Sequence, residues 1–246
     1  MRALFVLFGV FAYAFFFSTF LYLITFVGDL PGVPRTVSAG GESAPLLTAI
    51  LVNLGLIALF GLQHTVMARK GFKQAWTRFV PEPVERSMYV LLASALLWVM
   101  FQFWRPIPME IWRVDNAIGA GLLWGLFAAG WVIVLVSTFL ISHFELFGLK
   151  QVWMHLRGQT TVTPVLRQPF LYRFVRHPLY SGFFLAFWAT PVMTGGHLLF
   201  AMGMSLYMLI AIRYEERVLV DLFGEDYARY QREVGMLAPG LGRAKA

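Results

Sequence analysis

The stretch LYRFVRHPLYSGFF, Leu171 to Phe184, joins a basic, water-soluble segment to an apolar helix. Arg173, Arg176 and His177 precede Pro178, and a run almost free of charge follows. Proline suits the first turn of a helix, where its missing N–H costs no hydrogen bond. The stretch therefore predicts a helix beginning at Pro178 with Arg176 and His177 at its mouth. Free N–H groups and the helix dipole there favour an anion such as a carboxylate or a phosphate. The same pattern fits an interfacial anchor whose Arg and Tyr side chains reach the headgroups. The residues alone leave both readings open.

Outward from this stretch, composition sets the class. Of 246 residues 59% are hydrophobic and only 13% charged, against about 25% charged in soluble domains, and the mean hydropathy is +0.67. The expectation is an all-α integral membrane protein forming a single membrane domain, 1–246, in contact with the lipid bilayer. There is no cysteine, so disulfides, thiolate metal sites and cysteine nucleophiles are excluded. The five histidines show no metal-ligand spacing, and no metal site is predicted. Basic residues are placed unevenly. Arg35, Arg105 and Arg113 lie in two loops, while the other Lys and Arg flank the opposite ends of the apolar runs, Arg167 and Lys245 among them. Under the positive-inside rule this puts both termini in the cytoplasm. Charge spread over membrane-flanking loops argues against a nucleic-acid partner.

Residues 1–142 hold four apolar runs long enough to span a bilayer: Ala3 to Gly28, Leu46 to Ala68, Ser87 to Trp104 and Ala117 to Ser142. Ala12-Tyr13-Ala14 mimics a signal-peptidase site, but it lies inside the first run, which reads as a retained anchor. Gly121, Gly125 and Ala129 form a stripe suited to close helix packing. His143 to His177 is a long segment holding HFELFGLKQVW (His143 to Trp153), Gly158 and Pro164, and reads as a packed loop or lid. Leu179 to Met193 and His197 to Ile212, joined by Thr194-Gly195-Gly196, read as a helical hairpin, giving five to six membrane helices in all. The second arm runs on into RYEERVLVDLFGEDYARYQREV, where Gly224 predicts a break before a cytoplasmic amphipathic helix bearing Tyr227 and Tyr230.

Candidate chemistry gathers on the cytoplasmic side, in His143 to Trp153, Arg173 to Tyr180 and Arg213 to Arg217. Arg213, Glu216 and Arg217 share a helix face by their spacing, with Glu215 pointing the other way. Gln63 and His64 lie near the cytoplasmic end of the second span, facing either a cavity or the headgroups. Interfacial ion pairs alone would also explain the charged cluster.

YRFVRHPLYSGFF followed by EERVLVDLFGEDYARYQREV resembles the C-terminal half of isoprenylcysteine carboxyl methyltransferases and their bacterial relatives. The shared motifs are RHPxYxG, EExxL and FGxxYxxY, in order, over Leu171 to Val234. GLQHTVMAR, HFELFGLKQVW and FWATPVMTGGHLLFA extend a closer resemblance, to bacterial methanethiol S-methyltransferases, over most of Leu46 to Leu237. One departure stands at Gly235-Met236-Leu237, where the wider superfamily usually has proline after valine.

The resemblance implies S-adenosyl-L-methionine as methyl donor, a small thiol as substrate, and residues 143–246 as the cofactor-binding and catalytic half. It implies a donor site lined by Gln151, Arg176, His177, Pro178, Tyr180 and Glu216. His64, Arg213 and Glu215 are the candidates for acting on the thiol, as bases (His64, Glu215) or as a cation (Arg213) that favours the thiolate. Tyr180 or Trp188 could meet the sulfonium with an aromatic face. The expected location is the bacterial inner membrane, with the site facing the cytoplasm. The alternatives are a same-fold methyltransferase acting on a lipid-linked thiol or carboxylate, a membrane reductase using NADPH, and a non-catalytic membrane component of nitrogen-oxide metabolism. Cofactor binding separates them.

Overall fold

In the computed structural model, residues 1–159, 166 and 168–244 are described. Pro164, Arg167 and Lys245 lie outside the described residues. The helices are α1 (Arg2–Val27), α2 (Leu46–Ala68), α3 (Lys70–Trp76), α4 (Glu82–Phe103), α5 (Ala117–Ile141), α6 (His143–Leu146), α7 (Leu149–Leu156), α8 (Pro178–Trp188), α9 (Gly195–Phe223) and α10 (Glu225–Glu233). A 3₁₀ turn covers Phe170–Arg173, and two short strands, β1 (Glu110–Arg113) and β2 (Val192–Thr194), complete the elements. α1, α2, α4, α5 and α9 are each long and apolar enough to cross a membrane, so this is an all-α integral membrane protein.

The chain divides into two compact units. The first comprises Met1–Ile111, His143–Thr163 and Thr194–Phe200. In it α1 packs against α4 and α7, and α2 against α4. Aromatic contacts fill its core: Phe101 lies with its ring centroid 4.9 Å from those of both Tyr22 and Phe26. One buried polar side chain there is matched as both donor and acceptor. Asn53 is fully buried and both donates to Arg105 O, at 2.8 Å, and accepts from Arg105 N–H, at 2.9 Å. A polar side chain at membrane depth is a functional candidate by default, but this amide instead ties α2 to the end of α4. His143 to Leu156, read from sequence as loop or lid, is mostly helical, in α6 and α7.

The second unit comprises Trp112–Ser142, Pro164–Met193 and Ala201–Ala246. Its spine is α5 packed along α8. The backbones touch at Gly130 and Gly182: a Cβ on Gly130 would lie 2.6 Å from Ala186 N, and one on Gly182 2.6 Å from Gly130 O. The stripe predicted for close packing is therefore off by one residue. Gly121 and Gly125 are exposed, with nothing within 4 Å of an added Cβ, because the buried face of α5 runs through Phe127, Gly130, Trp131 and Val134.

The hairpin also differs from the sequence expectation. α8 has only 11 residues, about 16 Å of helix, roughly half of a hydrocarbon core about 30 Å thick. Ala189 to Thr194 continues it as a mostly extended segment, which adds about 20 Å at strand rise. Its polar groups have partners within the unit: Trp112 Nε1–H donates to Thr190 O at 3.2 Å, Val114 N–H to Pro191 O at 2.8 Å, and Thr190 Oγ1 to Val192 O at 2.8 Å. Irregular backbone is tolerated at membrane depth only when satisfied in this way.

Candidate active site

The candidate site is built at the start of α8, in the second unit. Pro178 is the first helical residue and His177 the residue before it. The backbone ahead of the helix is held by the returning C-terminal segment. Val175 and Gly235 form a parallel bridge, Arg176 N–H donates to Gly235 O at 2.8 Å, and His177 N–H donates to Met236 O at 3.1 Å. Ser181 Oγ donates to Leu237 O at 2.7 Å. The segment turns back at once, Met236 N–H donating to Leu241 O at 2.6 Å. A Cβ on Gly235 would lie 2.1 Å from Ala238 O. That turn is the physical reason for glycine where the superfamily pattern has proline.

Around this backbone Arg176, His177 and Glu216 close into one cluster. Arg176 Nε donates to Glu216 Oε1 at 2.7 Å, and His177 Nε2 lies 3.1 Å from the same oxygen. Gln231 Nε2 donates to the other oxygen, Oε2, at 3.1 Å. An ionised carboxylate only accepts, so His177 carries its hydrogen on Nε2 and turns Nδ1 away from Glu216. The remaining Arg176 donors reach main-chain carbonyls: Nη1 donates to Gln231 O at 2.9 Å and to Val234 O, and Nη2 to Gly242 O at 3.1 Å. The Arg176 side chain is 2% exposed.

The paired acids of the EE motif have different partners. Glu216 belongs to the buried cluster, whereas exposed Glu215 accepts from Tyr180 OH at 3.1 Å. Both therefore sit beside the α8 mouth, on neighbouring faces of α9. The Tyr180 ring lies 5.7 Å from that of His177. Behind them are buried tyrosines: Tyr230 donates to Tyr172 O and packs edge-on against Tyr227 at 5.7 Å. Burial pushes the Tyr230 hydroxyl up to about 12, with Arg176 opposing and Glu216 adding to the shift. Burial likewise raises Tyr227 and Tyr172, reinforced by nearby carboxylates.

A groove of about 350 Å³ opens beside Glu216, lined by Arg213, Arg217, Val220 and Asp221 of α9 and by Gln231 of α10. The predicted face of Arg213, Glu216 and Arg217 is its wall, extended by Val220 and Asp221 one turn further on. The groove offers cations and an acid together, the donor set for a zwitterion, in a volume within the ordinary range for ligand sites. Thus Arg176, His177, Pro178, Tyr180, Arg213, Glu215 and Glu216 all belong to the second unit, and all but Arg213 are joined there by direct contacts or adjacency.

His64 and Gln151 belong to the first unit. The His64 ring packs against those of Phe60, at 5.3 Å, and Tyr89, at 5.0 Å, and Tyr89 OH donates to His64 O at 3.2 Å. Gln151 Nε2 donates to Glu145 O at 3.0 Å, while its Oε1 is buried without a hydrogen-bond partner among the described residues. Trp188 lies about 12 Å along α8 from Tyr180 and donates to Ser205 Oγ at 3.0 Å, so of these two aromatic residues Tyr180 is the one at the cluster. Sequence reasoning missed Asp221, Gln231 and the carbonyls of Val234 and Gly242. Asp221 was legible as the i+8 position of the Arg213 face, and Gln231 as the residue after the YxxY motif. The carbonyls left no trace in side-chain identity.

Comparison with known proteins identifies the family. Residues 122–226 match the phospholipid methyltransferase family. The chain is 47% identical to a methanethiol S-methyltransferase of Crocosphaera subtropica over 98% of its own length and 94% of that protein. It is 51% identical to methanethiol S-methyltransferase 1 of Bradyrhizobium diazoefficiens, covering 95% of the chain and 81% of the relative. With the enzyme of that name from Mycobacterium tuberculosis it shares 50% identity, over 97% of each. No solved structure matches significantly. A chain so similar over nearly its whole length, with its motif residues gathered into one charged cluster, belongs to the methanethiol S-methyltransferase family.

Proposed function

We propose that this protein transfers a methyl group from S-adenosyl-L-methionine to methanethiol, giving dimethyl sulfide, at a site open to the cytoplasm in a bacterial inner membrane. The observation that carries the reading is the Arg176–Glu216–His177 cluster beside a two-signed groove, in a chain about half identical to enzymes of that name. The donor's amino-acid end carries a carboxylate and an ammonium. Exposed Arg217 suits the first, and Asp221 or Glu215 the second. Tyr180 offers its ring to a sulfonium, and Pro178 fixes the helix mouth. Gln151 keeps the donor-binding part that the resemblance gives it.

When bound, the donor supplies an electrophilic methyl carbon on a positively charged sulfur. The protein's task is to present a thiolate to that carbon, since the thiol is a poor nucleophile. A cation near the acceptor sulfur, for which we assign Arg213, favours loss of its proton. His64 or Glu215 takes the proton. A sulfur–carbon bond forms as the sulfonium bond breaks, charge is neutralised, and S-adenosylhomocysteine is left. Purified protein in detergent, given the donor and methanethiol, should release dimethyl sulfide into the headspace. No dimethyl sulfide, with methylation of a prenylated cysteine instead, would overturn the reading.

A further inference from the structure

The sequence reading puts Arg176 in direct contact with the donor. In the structure its guanidinium is turned inward, held by Glu216 and by the carbonyls of Gln231, Val234 and Gly242, and it is 2% exposed. Two of those four acceptors, Val234 and Gly242, belong to the C-terminal segment that also pairs with the Arg176 and His177 backbone, and Gln231 lies just ahead of it in α10. We infer that Arg176 is a positioning residue. It fixes the carboxylate of Glu216 and, through it, the tautomer of His177, and the segment Val234 to Ala244 is the strap that aims it.

The physical case rests on geometry and donor count. Guanidinium is a rigid planar fork with five N–H donors, and here four distinct acceptors surround it in one buried place. Lysine offers a single point charge on a flexible stem and can satisfy Glu216 or the carbonyls, not all of them. The strap is tied at both ends. Ser181 Oγ and His177 N–H hold its start, and Ala244 N–H donates to Gln231 O at 3.0 Å near its finish. Gln231 links both tasks, its carbonyl accepting from Arg176 and Ala244 and its side chain donating to Glu216.

This inference rests on the reading that the donor binds beside Glu216, so it is tested both with and without ligand. In the ligand-free protein, hydrogen exchange across the peptide Gly235 to Ala244 should rise at least tenfold in Arg176→Lys and in the milder Ser181→Ala. Unchanged exchange in both would overturn the strap. S-adenosylhomocysteine affinity is then measured for Arg176→Lys, Glu216→Gln and the double variant. Each single change should weaken binding by about tenfold or more, the scale of one charged hydrogen bond. The double should be no weaker than the worse single, because the residues act through one contact. Losses that multiply would mean that Arg176 meets the donor itself and would overturn the inference. Ser181→Ala should weaken binding a few-fold while leaving Arg176 intact; raised exchange with unchanged affinity would also overturn it. A wild type that binds no S-adenosylhomocysteine would fell the donor reading, with the exchange result standing apart from it.

Discussion

Replacing His64 or Arg213 with alanine should lower turnover with methanethiol by about a hundredfold or more for a base, and less for a cation, while S-adenosylhomocysteine affinity stays within about twofold. That is the pattern of a group acting on the reacting atom and not on ground-state binding. Tyr180→Phe should behave differently. It keeps the ring and loses one hydrogen bond to Glu215, so affinity for S-adenosylhomocysteine should fall by about threefold to tenfold. The buried tyrosines give a pH dependence with a definite sign. Folding raises the Tyr230 hydroxyl to about 12, from about 10 in an unfolded chain. The stability this supplies is present in full below pH about 10 and is lost as pH rises toward 12. The melting temperature in detergent should therefore fall across that window, and fall less steeply in Tyr230→Phe. At this scale the sequence was informative about which residues matter and silent about how. Arg176, His177, Tyr180 and Glu216 were all named from their motifs. Whether Arg176 faced a ligand or the protein depended on carbonyls of a segment some 60 residues away, which carries no side-chain signature.

Among the elements, the contact of α5 with α8 makes the sharpest contrast. Gly130→Ala or Gly182→Ala would force a methyl group to within 2.6 Å of backbone, a clash that should cost about 1–3 kcal/mol and lower the melting temperature. Gly121→Ala, in open space on the same helix, should be neutral or slightly stabilising, by up to about 1 kcal/mol. A period-four glycine pattern marked the right helix and the wrong face. Small-residue spacing reports that a close approach is possible, whereas the buried face is decided by where Phe127, Trp131 and Val134 point. Helix existence was far easier to read: Leu46–Ala68 is where the sequence puts it, and α1, α4 and α5 begin or end within a few residues of prediction. α9 ends at Phe223, ahead of Gly224 at φ 58°, because glycine takes that backbone without strain. Strands β1 and β2 were not foreseen, since four and three residues give too short a window for periodicity.

For the molecule as a whole, the uneven placement of Lys and Arg predicts that reporters fused at Val37 and at Gly158 lie on opposite sides of the membrane, Gly158 in the cytoplasm; the same side for both would overturn this topology. Apolar length made the membrane class legible, because about 20 consecutive apolar residues have few other uses. The depth of the hairpin was not, because its first arm combines helix with extended chain and hydropathy does not distinguish them. That mixed arm has a consequence for how the protein is made. An 11-residue helix is too short to cross the hydrocarbon core by itself, and the extended backbone of Ala189 to Thr194 that follows it cannot enter lipid without its hydrogen-bond partners. Pro178 to Thr194 is therefore expected to enter the bilayer together with α9, once the chain through Phe223 has been made. A nascent chain stopped at Thr194 should leave that residue on the same side as Gly158, and lengthening the chain through Phe223 should carry it across.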